Sequence, residues 1–447
     1  MRVTRRGTMV WAVLAVCAAS ASAQISLSSA VSLALRSDPR IRSAQADVDK
    51  ARATLASTHD AYIPTISANG GEGTSTGVPL SVPVVFSLSS QSLLFNFSQK
   101  DYVRAAASGV EAAKLALQEA QDKVAEDLVV TYLNLSNAQE RQAAMTDEHN
   151  FATRLVSIVQ ERLDAGLESR VELLRAQRTA KQIELQQLQT DDEIATLTNH
   201  LANLIGMPGN PVQAVPSSIP ALPPVKALII DAPASFGVQA AVAAARSKQE
   251  LAFGEARYRY RPQFSFGANY ARISTSHTDY LDYYPGFKLK SEDAASIGIQ
   301  IVIPLLDRSH DARAHEAEAD ARRARFDAEA QSTLFLEGRF RLQHSAAELS
   351  AQSDIAALDR DLAQEQINVV VLQLSANSAD AEKTQMTPKD EQTARLTERA
   401  RTVDLLNAQF QLTQLQVNLM RQTGQLDIWL KTAVAAPEAT IAAPTHP

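Results

Sequence analysis

Between Ser98 and Asp164 the chain has no proline and a single glycine, Gly109. Turns are written in glycine and proline, so this stretch is neither loop nor a string of short strands. It reads as continuous helix, 67 residues long and so roughly 100 Å at the usual rise. No compact domain needs a helix of that length; packing of long helices against one another does. From Ser169 to Leu204 another 36 residues run without either breaker. The apolar seam is narrow and rich in small residues. Ala105, Ala112, Ala116, Ala120, Val124 and Leu128 recur at steps of seven and four, with Glu, Gln, Lys and Asp between them. That is the seam of a coiled coil rather than the broad face of a globular helix. An ordinary antiparallel helical hairpin satisfies the same local pattern.

The junction between these stretches is a turn. Leu163-Asp164-Ala165-Gly166-Leu167-Glu168 places a glycine just past a helix end, where a left-handed residue closes the last turn. Ser169-x-x-Glu172 then reads as a capping box, the hydroxyl taking the third amide and the carboxylate the cap amide. Farther on, Thr387, Pro388 and Asp390 supply a cap, a first-position proline and a third-position acid. Ser98-x-x-Asp101 opens the long helix in the same way.

These starts belong to a duplication. Arg52–Gly70 and Ala252–Tyr270 both run from an Ala-rich helical pattern through an aromatic-x-Pro step into an alternating segment, with Pro64 opposite Pro262 at an offset of 198. Leu94–Ser98 then faces Leu305–Ser309 at 211, and Ser169 faces Thr387, as Gly206 faces Gly424, at 218. The first increase falls in a longer loop of copy two. The second, of seven, is one heptad, which a helical hairpin absorbs without turning its seam away.

Each copy holds two strand-like segments. In Ser296–Ile303, Ile297, Ile299, Ile301 and Ile303 fall on one face and Ser296, Gly298 and Gln300 on the other. In Gln263–Tyr270, Phe264, Phe266, Ala268 and Tyr270 oppose Gln263, Ser265, Gly267 and Asn269. Copy one alternates more roughly, with Ile66 and Ala68, then Phe86, Leu88, Leu93 and Phe95 on the apolar side and a change of phase near Ser90. Period two over about ten residues suits a half-buried soluble sheet or a transmembrane barrel with lipid outside and water inside. No other β segment is evident. Four strands cannot close a barrel, and left open they expose two edges and an apolar face.

The first 23 residues read as a secretory leader: Arg2, Arg5 and Arg6, an apolar run from Met9 to Ala19, and Ala21-Ser22-Ala23 before Gln24. That run is too short to span a bilayer. The only cysteine, Cys17, lies within it. A lipid-anchor reading of Leu14–Cys17 meets the bulk of Val16. Cleavage after Ala23 leaves a mature chain free of disulfides and thiolate metal sites. The formal charge is 43 − 50 = −7, with no basic stripe for nucleic acid.

Catalytic chemistry finds no footing. The eight histidines (His59, His149, His200, His277, His310, His315, His344 and His446) form no pair at a helical metal-binding spacing. Gly73–Gly77 fits G-x-S-x-G but leads into a loop with Pro79 and Pro83, not the strand–turn–helix that chemistry needs. The expectation is a non-enzyme with no metal and no cofactor. Tyr280, Tyr283, Tyr284 and Phe287 suit either an aromatic cluster at a membrane interface or a self-packed loop.

The leader, the duplicated plan, the Ala-Tyr-x-Pro entry at Ala61–Pro64, Gly166-Leu167 at the turn and the following Val171–Gln177 run together resemble the outer-membrane efflux protein family, the TolC-like outer-membrane factors. The likeness covers about residues 25–430 and lies in the order of short motifs. It implies a mainly α fold with a small β part: a duplicated helix–strand–strand–helix hairpin unit, three copies of which form an α-barrel and a shared 12-stranded outer-membrane β-barrel. It implies a passive exit duct exporting small molecules or proteins, within a tripartite efflux or type I secretion system. The partners implied are two further copies, a periplasmic adaptor, an inner-membrane pump of RND, ABC or MFS type, and outer-membrane lipid.

By the same resemblance, Ala165, Gly166 and Leu167 at one tip, and Thr384, Gln385 and Met386 at the other, would dock the adaptor. Copy two lacks the glycine there. Asp164, Asp380 and Glu382 would stand at the periplasmic aperture. Phe264, Phe266, Ile297, Ile299, Ile301 and Ile303 would face lipid. Loops 70–83 and 276–292 would face the outside, and the Pro-rich linker and C-terminal region would form an equatorial belt.

The expected divisions are a leader at 1–23, copy one at 24–205, a Pro-rich linker at 206–235, copy two at 236–430 and an Ala/Pro-rich tail at 431–447. Copy one holds strands near 62–72 and 83–97 and a hairpin at 98–205; copy two holds strands near 262–275 and 293–305 and a hairpin at 307–430. A periplasmic adaptor or coiled-coil scaffold that spans no membrane is the second reading, although such a protein carries one hairpin and more strands.

Overall fold

The structure, a computed structural model, describes residues 23–71, 84–210, 212–228, 233–258, 261–273, 293–376 and 386–435. The leader with Cys17, the loops 72–83 and 274–292 with their tyrosines, the second hairpin turn and residues 436–447 lie outside these.

Copy one runs β1 (Ala23–Ile25), α1 (Leu27–Ser37), α2 (Pro39–His59), β2 (Thr65–Gly70), β3 (Val84–Phe95), α3 (Gln99–Asp164) and α4 (Arg170–Leu204). The linker holds β4 (Val212–Ala214) and the short α5 (Val225–Leu228). Copy two follows with α6 (Phe236–Ala256), β5 (Gln263–Ile273), β6 (Asp293–Val302), α7 (Arg308–Ala376), α8 (Pro388–Gln422) and α9 (Leu426–Ala435). α3 is 66 residues long and α7 is 69, each with one glycine and no proline. The final helix runs to Ala435, so Lys431–Ala435 is helix rather than loose tail.

The turns are local consequences of sequence. After α3, Gly166 sits at φ 72°; its N–H meets Leu163 O at 2.9 Å, and Leu167 N–H meets Arg162 O at 2.7 Å. That bond pair closes a helix over a left-handed residue, which glycine adopts without strain. Gly206 and Gly424, at φ 77° and 71°, close α4 and α8 with the same pair of bonds. The two copies therefore end on one device at their offset of 218.

Of the expected helix starts, that at Thr387 forms as read, while those at Ser169 and Ser98 differ in the role of the third-position acid. Ser169 Oγ does accept from Glu172 N–H at 3.3 Å, but the Glu172 carboxylate turns to Arg175 at 2.5 Å and to Lys389 at 3.4 Å. A cation outbids a neutral amide for a carboxylate. At the second hairpin the expected cap forms: Thr387 and Asp390 make a capping box, the Asp390 carboxylate accepting from the Thr387 N–H and from its hydroxyl, each at 2.8 Å. Ser98 N–H is capped by Asn96 at 2.9 Å, leaving Asp101 free for arginines.

The chain forms two compact units, and each draws on both copies. One comprises Ser43–Gln118 and Phe236–Leu334. It holds an antiparallel sheet in the order β2-β3-β5-β6. In it α6 meets α3 closely: Ser247 Oγ bonds Ala105 O at 2.7 Å, and a Cβ on Gly254 would lie 2.5 Å from the Tyr102 ring. Only glycine fits there.

The other unit comprises the residues up to Arg42, Glu119–Ser235, and those from Phe335 onward. Its core surrounds the middle of α3, where Val124, Leu128, Val129, Tyr132 and Leu135 have no exposed surface. Ala116, counted in the small-residue seam, is exposed. β1 pairs in parallel with β4, a sheet too short to show alternation in sequence. Were the leader cut after Ala23, Gln24 and Ile25 would keep their partners Gln213 and Ala214. The linker is pinned here by Trp429 Nε1 to Ala221 O and Gln416 Nε2 to Pro223 O, each 3.2 Å.

Candidate functional site

The register of the sheet sorts its side chains onto two faces. One face carries Ile66, Phe86, Leu88, Phe264, Phe266 and Tyr270, then Ile297, Ile299 and Ile301 of β6. The other carries Ser67, Ser89, Gln91, Asn269, Ser296 and Gln300. Ser67 and Ser89 share a hydroxyl hydrogen bond of 2.7 Å across the strands. The apolar face is uncovered. Ile66 is 73% exposed, Ile297 77%, Ile299 66% and Ile301 57%. Phe264 and Phe266 are half-buried because β5 is an inner strand, with Phe95 packed 6.3 Å from the Phe264 ring. Ile303 lies just past the end of β6 and is exposed.

β3 departs from expectation at one point. Its register with β5 is unbroken from Phe86 to Leu93 and shifts between Leu93 and Phe95. The extra residue is Leu94, a bulge, so the phase change sits there and not at Ser90. Phe95 returns to the apolar face, whereas Leu93, opposite Ser265, falls on the polar one.

Below the sheet, charged and aromatic groups lock the helix starts. Asp101, wholly buried, accepts from Arg257 Nη1 at 2.9 Å and 3.2 Å and pairs with Arg104. Tyr102 OH donates to Glu255 at 3.0 Å. Burial, and then the charge of Glu255, push the Tyr102 phenol up. His310 Nε2 lies 3.1 Å from the same carboxylate, and Tyr258 stacks on its ring at 3.7 Å. In the sequence His310 has no partner at a metal-binding spacing, and Asp101 stands where a third-position cap acid would. Arg257 is 156 residues from Asp101, so nothing local announces the pairing.

At the first hairpin tip Ala165, Gly166 and Leu167 are all exposed, Leu167 by 66%. Asp164 is exposed and accepts from Gln160 at 2.8 Å. Beside them Lys389 Nζ reaches Glu168 at 3.1 Å and Glu172 at 3.4 Å, tying α8 to the tip of the first hairpin. Arg162 adds a contact to Glu168 at 3.4 Å. Against the cost of partial burial, hydrogen bonds to Glu168 and Glu172 hold the Lys389 ammonium above its ordinary value. Those to Arg175 and Lys389 hold Glu172 below its own. Of the second tip, Met386 is half-buried before Thr387. Thr384, Gln385, Asp380 and Glu382 lie outside the described residues.

A second charged group surrounds Arg421, which binds Glu119 at 3.2 Å and Glu126 at 2.5 Å. Neighbouring Asp122 is raised to about 6, by burial first and then by Glu119. The folded chain thus holds this proton more tightly than the unfolded chain does. The resulting penalty sets in as pH rises from the ordinary 3.8 to about 6 and is complete above. Asp122→Asn should therefore stabilise this unit by about 1–2 kcal/mol at pH 7.5, a value discounted for half-burial, and give no gain near pH 3. Thermal melts at the two pH values check this; an equal shift at both contradicts it.

Residues 30–207 match the family model described as outer membrane efflux protein. The fold is that of the outer membrane protein VceC from Vibrio cholerae, at 18% identity and TM-score 0.70, over 89% of this chain and 96% of that one. It is also that of the CmeC outer membrane channel of Campylobacter jejuni, at 16% and 0.70 over 91% and 89%. The open state of the MtrE outer membrane channel of Neisseria gonorrhoeae is similar at 17% and 0.65, over 90% and 89%. No curated protein matches the chain in sequence. The resemblance read from the sequence stands: residues 30–207 carry the family's sequence pattern, and the chain carries the fold of these channels.

Proposed function

We propose that this chain, with the efflux-protein sequence pattern and an outer-membrane channel fold, is one third of an outer-membrane channel-tunnel. Three copies would seal a 12-stranded wall and let cargo leave the periplasm passively. The observation that carries this is the sheet. It bears an uncovered isoleucine and phenylalanine face, a hydroxyl and amide face, and edges at β2 and β6 without a strand partner among the described residues. In water such a surface is an aggregation hazard. In a closed barrel every edge is paired, as hydrocarbon requires, and each face meets its matching solvent.

The duct would work in a tripartite efflux or type I secretion assembly, reached through a secretory leader. An adaptor would dock at the tips, where Leu167, Val171 and Leu174 leave apolar surface bare, and an inner-membrane pump would deliver small molecules or proteins. No step calls for a catalytic group.

Purified protein in planar bilayers tests the reading. Trimers that conduct support it; a monomer soluble without detergent supports the periplasmic scaffold instead. The Lys389 contacts, which tie α8 to the first hairpin tip, would act as a latch holding the periplasmic end shut; in the same assay Lys389→Ala should raise the open fraction on the order of a few-fold, since it removes two partly exposed ion pairs per copy. Closure itself should not vary between about pH 5 and 10. Glu172 contributes from above its ordinary 4.5 and fails only as pH falls through its lowered value; Lys389 contributes from below its ordinary 10.5 and fails only as pH rises through its raised one. A resting conductance unchanged in Lys389→Ala removes the latch.

A further inference from the structure

In the unit built around the middle of α3, a cleft of about 320 Å³ has walls from α3, α4 and α8. Its floor is apolar: Met145 of α3 and Val403 of α8 are buried and pack together with Ala144. Its rim is charged. Three carboxylates, Glu148, Glu193 and Asp404, stand against one cation, Arg141. Arg141 is already engaged, since its Nη2 meets Glu193 at 2.5 Å. Asp404 is exposed and pairs with the equally exposed Arg401 at 3.2 Å.

Glu148 is the exception. It is 8% exposed and lines the cleft, yet its carboxylate has no hydrogen bond and no ion pair among the described residues. A carboxylate leaves water at a large cost and is normally held in a protein by a cation or by several donors. Here burial, and then the like charge of Asp404, push the Glu148 carboxyl up. What completes such a cleft carries positive charge, donates hydrogen bonds and covers a small apolar patch. A bare metal ion does not suit it. Among the described residues no three histidine, cysteine, aspartate or glutamate side chains converge as ligands, and the space exceeds one ion. A primary ammonium suits it. Its three N–H donors match the two carboxylates and a side-chain amide oxygen of Gln189 or Asn407, which also line the cleft, while a short alkyl chain lies over Met145 and Val403.

We propose that this cleft binds a small organic ammonium ion, with Glu148 as its anchor and Asp404 as the second anionic acceptor. The walls come from both halves of the duplication, α3 and α4 from the first and α8 from the second. An occupant therefore joins the two hairpins. A single chain supplies every wall, so the site stands apart from the barrel reading.

The full chain in detergent at pH 8 is titrated with n-butylammonium chloride by calorimetry, at constant ionic strength. The expected result is saturable binding of one ion per chain. Tetramethylammonium has the charge but no N–H, and n-butanol has the alkyl chain but no charge. Each should bind about tenfold more weakly or worse, since neither can make a charge-assisted hydrogen bond. Glu148→Gln keeps the shape and removes the charge. It should weaken n-butylammonium binding by about tenfold or more, with a melting temperature no lower than that of the unsubstituted chain, because an unpaired buried charge has gone. Asp404→Asn, at an exposed position where folding is not at issue, should weaken binding as well. Absence of saturable binding to the unsubstituted chain overturns the proposal and leaves Glu148 neutralised by a proton. Equal binding to the unsubstituted chain and to both variants also overturns it, as an ammonium held elsewhere. Neither result touches the channel reading, which conductance in planar bilayers decides.

Discussion

Replacing Ile299 with arginine should abolish stable insertion into the outer membrane. Ile299 is central in β6, two-thirds exposed, with Phe266 as its cross-strand partner. On the lipid face of a barrel an arginine near the midplane costs about 2–4 kcal/mol. A trimer carries the change three times, so the assembly loses on the order of 10 kcal/mol, comparable to the whole stability of a domain. The measurement is the amount of heat-resistant trimer in outer-membrane fractions. Gln300→Arg, on the neighbouring polar position, is the control and should insert. Equal insertion of both variants would mean that neither face meets lipid, because a charge costs little on a face that stays in water.

The second large effect is expected at Tyr132. Its ring is fully buried in the middle of α3. Its hydroxyl donates toward Ile25 O at 2.8 Å, accepts from Val215 N–H at 2.7 Å and lies 3.0 Å from Ser218 Oγ. One oxygen thus joins β1, the residue after β4 and the turn that follows. Phenylalanine would keep the ring and strand those polar groups away from water. A buried group left unpaired costs about 1–3 kcal/mol, and two backbone groups are at stake, so Tyr132→Phe should destabilise its unit by about 3 kcal/mol. Urea unfolding of the detergent-solubilised protein reads this, together with faster proteolysis near Val215. A loss under about 0.5 kcal/mol, the low end for one hydrogen bond, would mean that water reaches the site.

Long-period features were legible in the sequence. The lack of proline and the single glycine from Ser98 to Asp164 announce α3, and the isoleucines from Ile297 to Ile301 announce β6 and its face. Gly166, Gly206 and Gly424 mark helix ends because no other residue takes a left-handed φ so readily. What escaped depends on partners distant in sequence. A three-residue strand such as β1 or β4 has no alternation to read, and exists because each pairs with the other. The bulge at Leu94 is set by pairing with β5 and not by composition. Glu172 fits a capping box on paper, but Lys389, 217 residues away, competes for its carboxylate. The Asp101–Arg257 contact and the stack of Tyr258 on His310 are of the same kind.

The first hairpin tip shows the same limit from another side. Gly166 and Leu167 are visible in sequence because a turn requires the first and leaves the second bare. The ion pairs beside them are not, since Lys389 becomes significant only where α8 passes Glu168 and Glu172.

The account stands on the claim that one face of the sheet meets hydrocarbon and the other meets water. Single cysteines placed in turn from Ala294 to Ile301, in membranes, measure this most directly. Each is probed with a water-soluble thiol reagent and with a lipid-borne quencher. Positions 296, 298 and 300 should react with the aqueous reagent, and positions 297, 299 and 301 should answer only to the quencher, in strict alternation. If all six react alike with the aqueous reagent, or if the alternation is inverted, the channel reading is wrong.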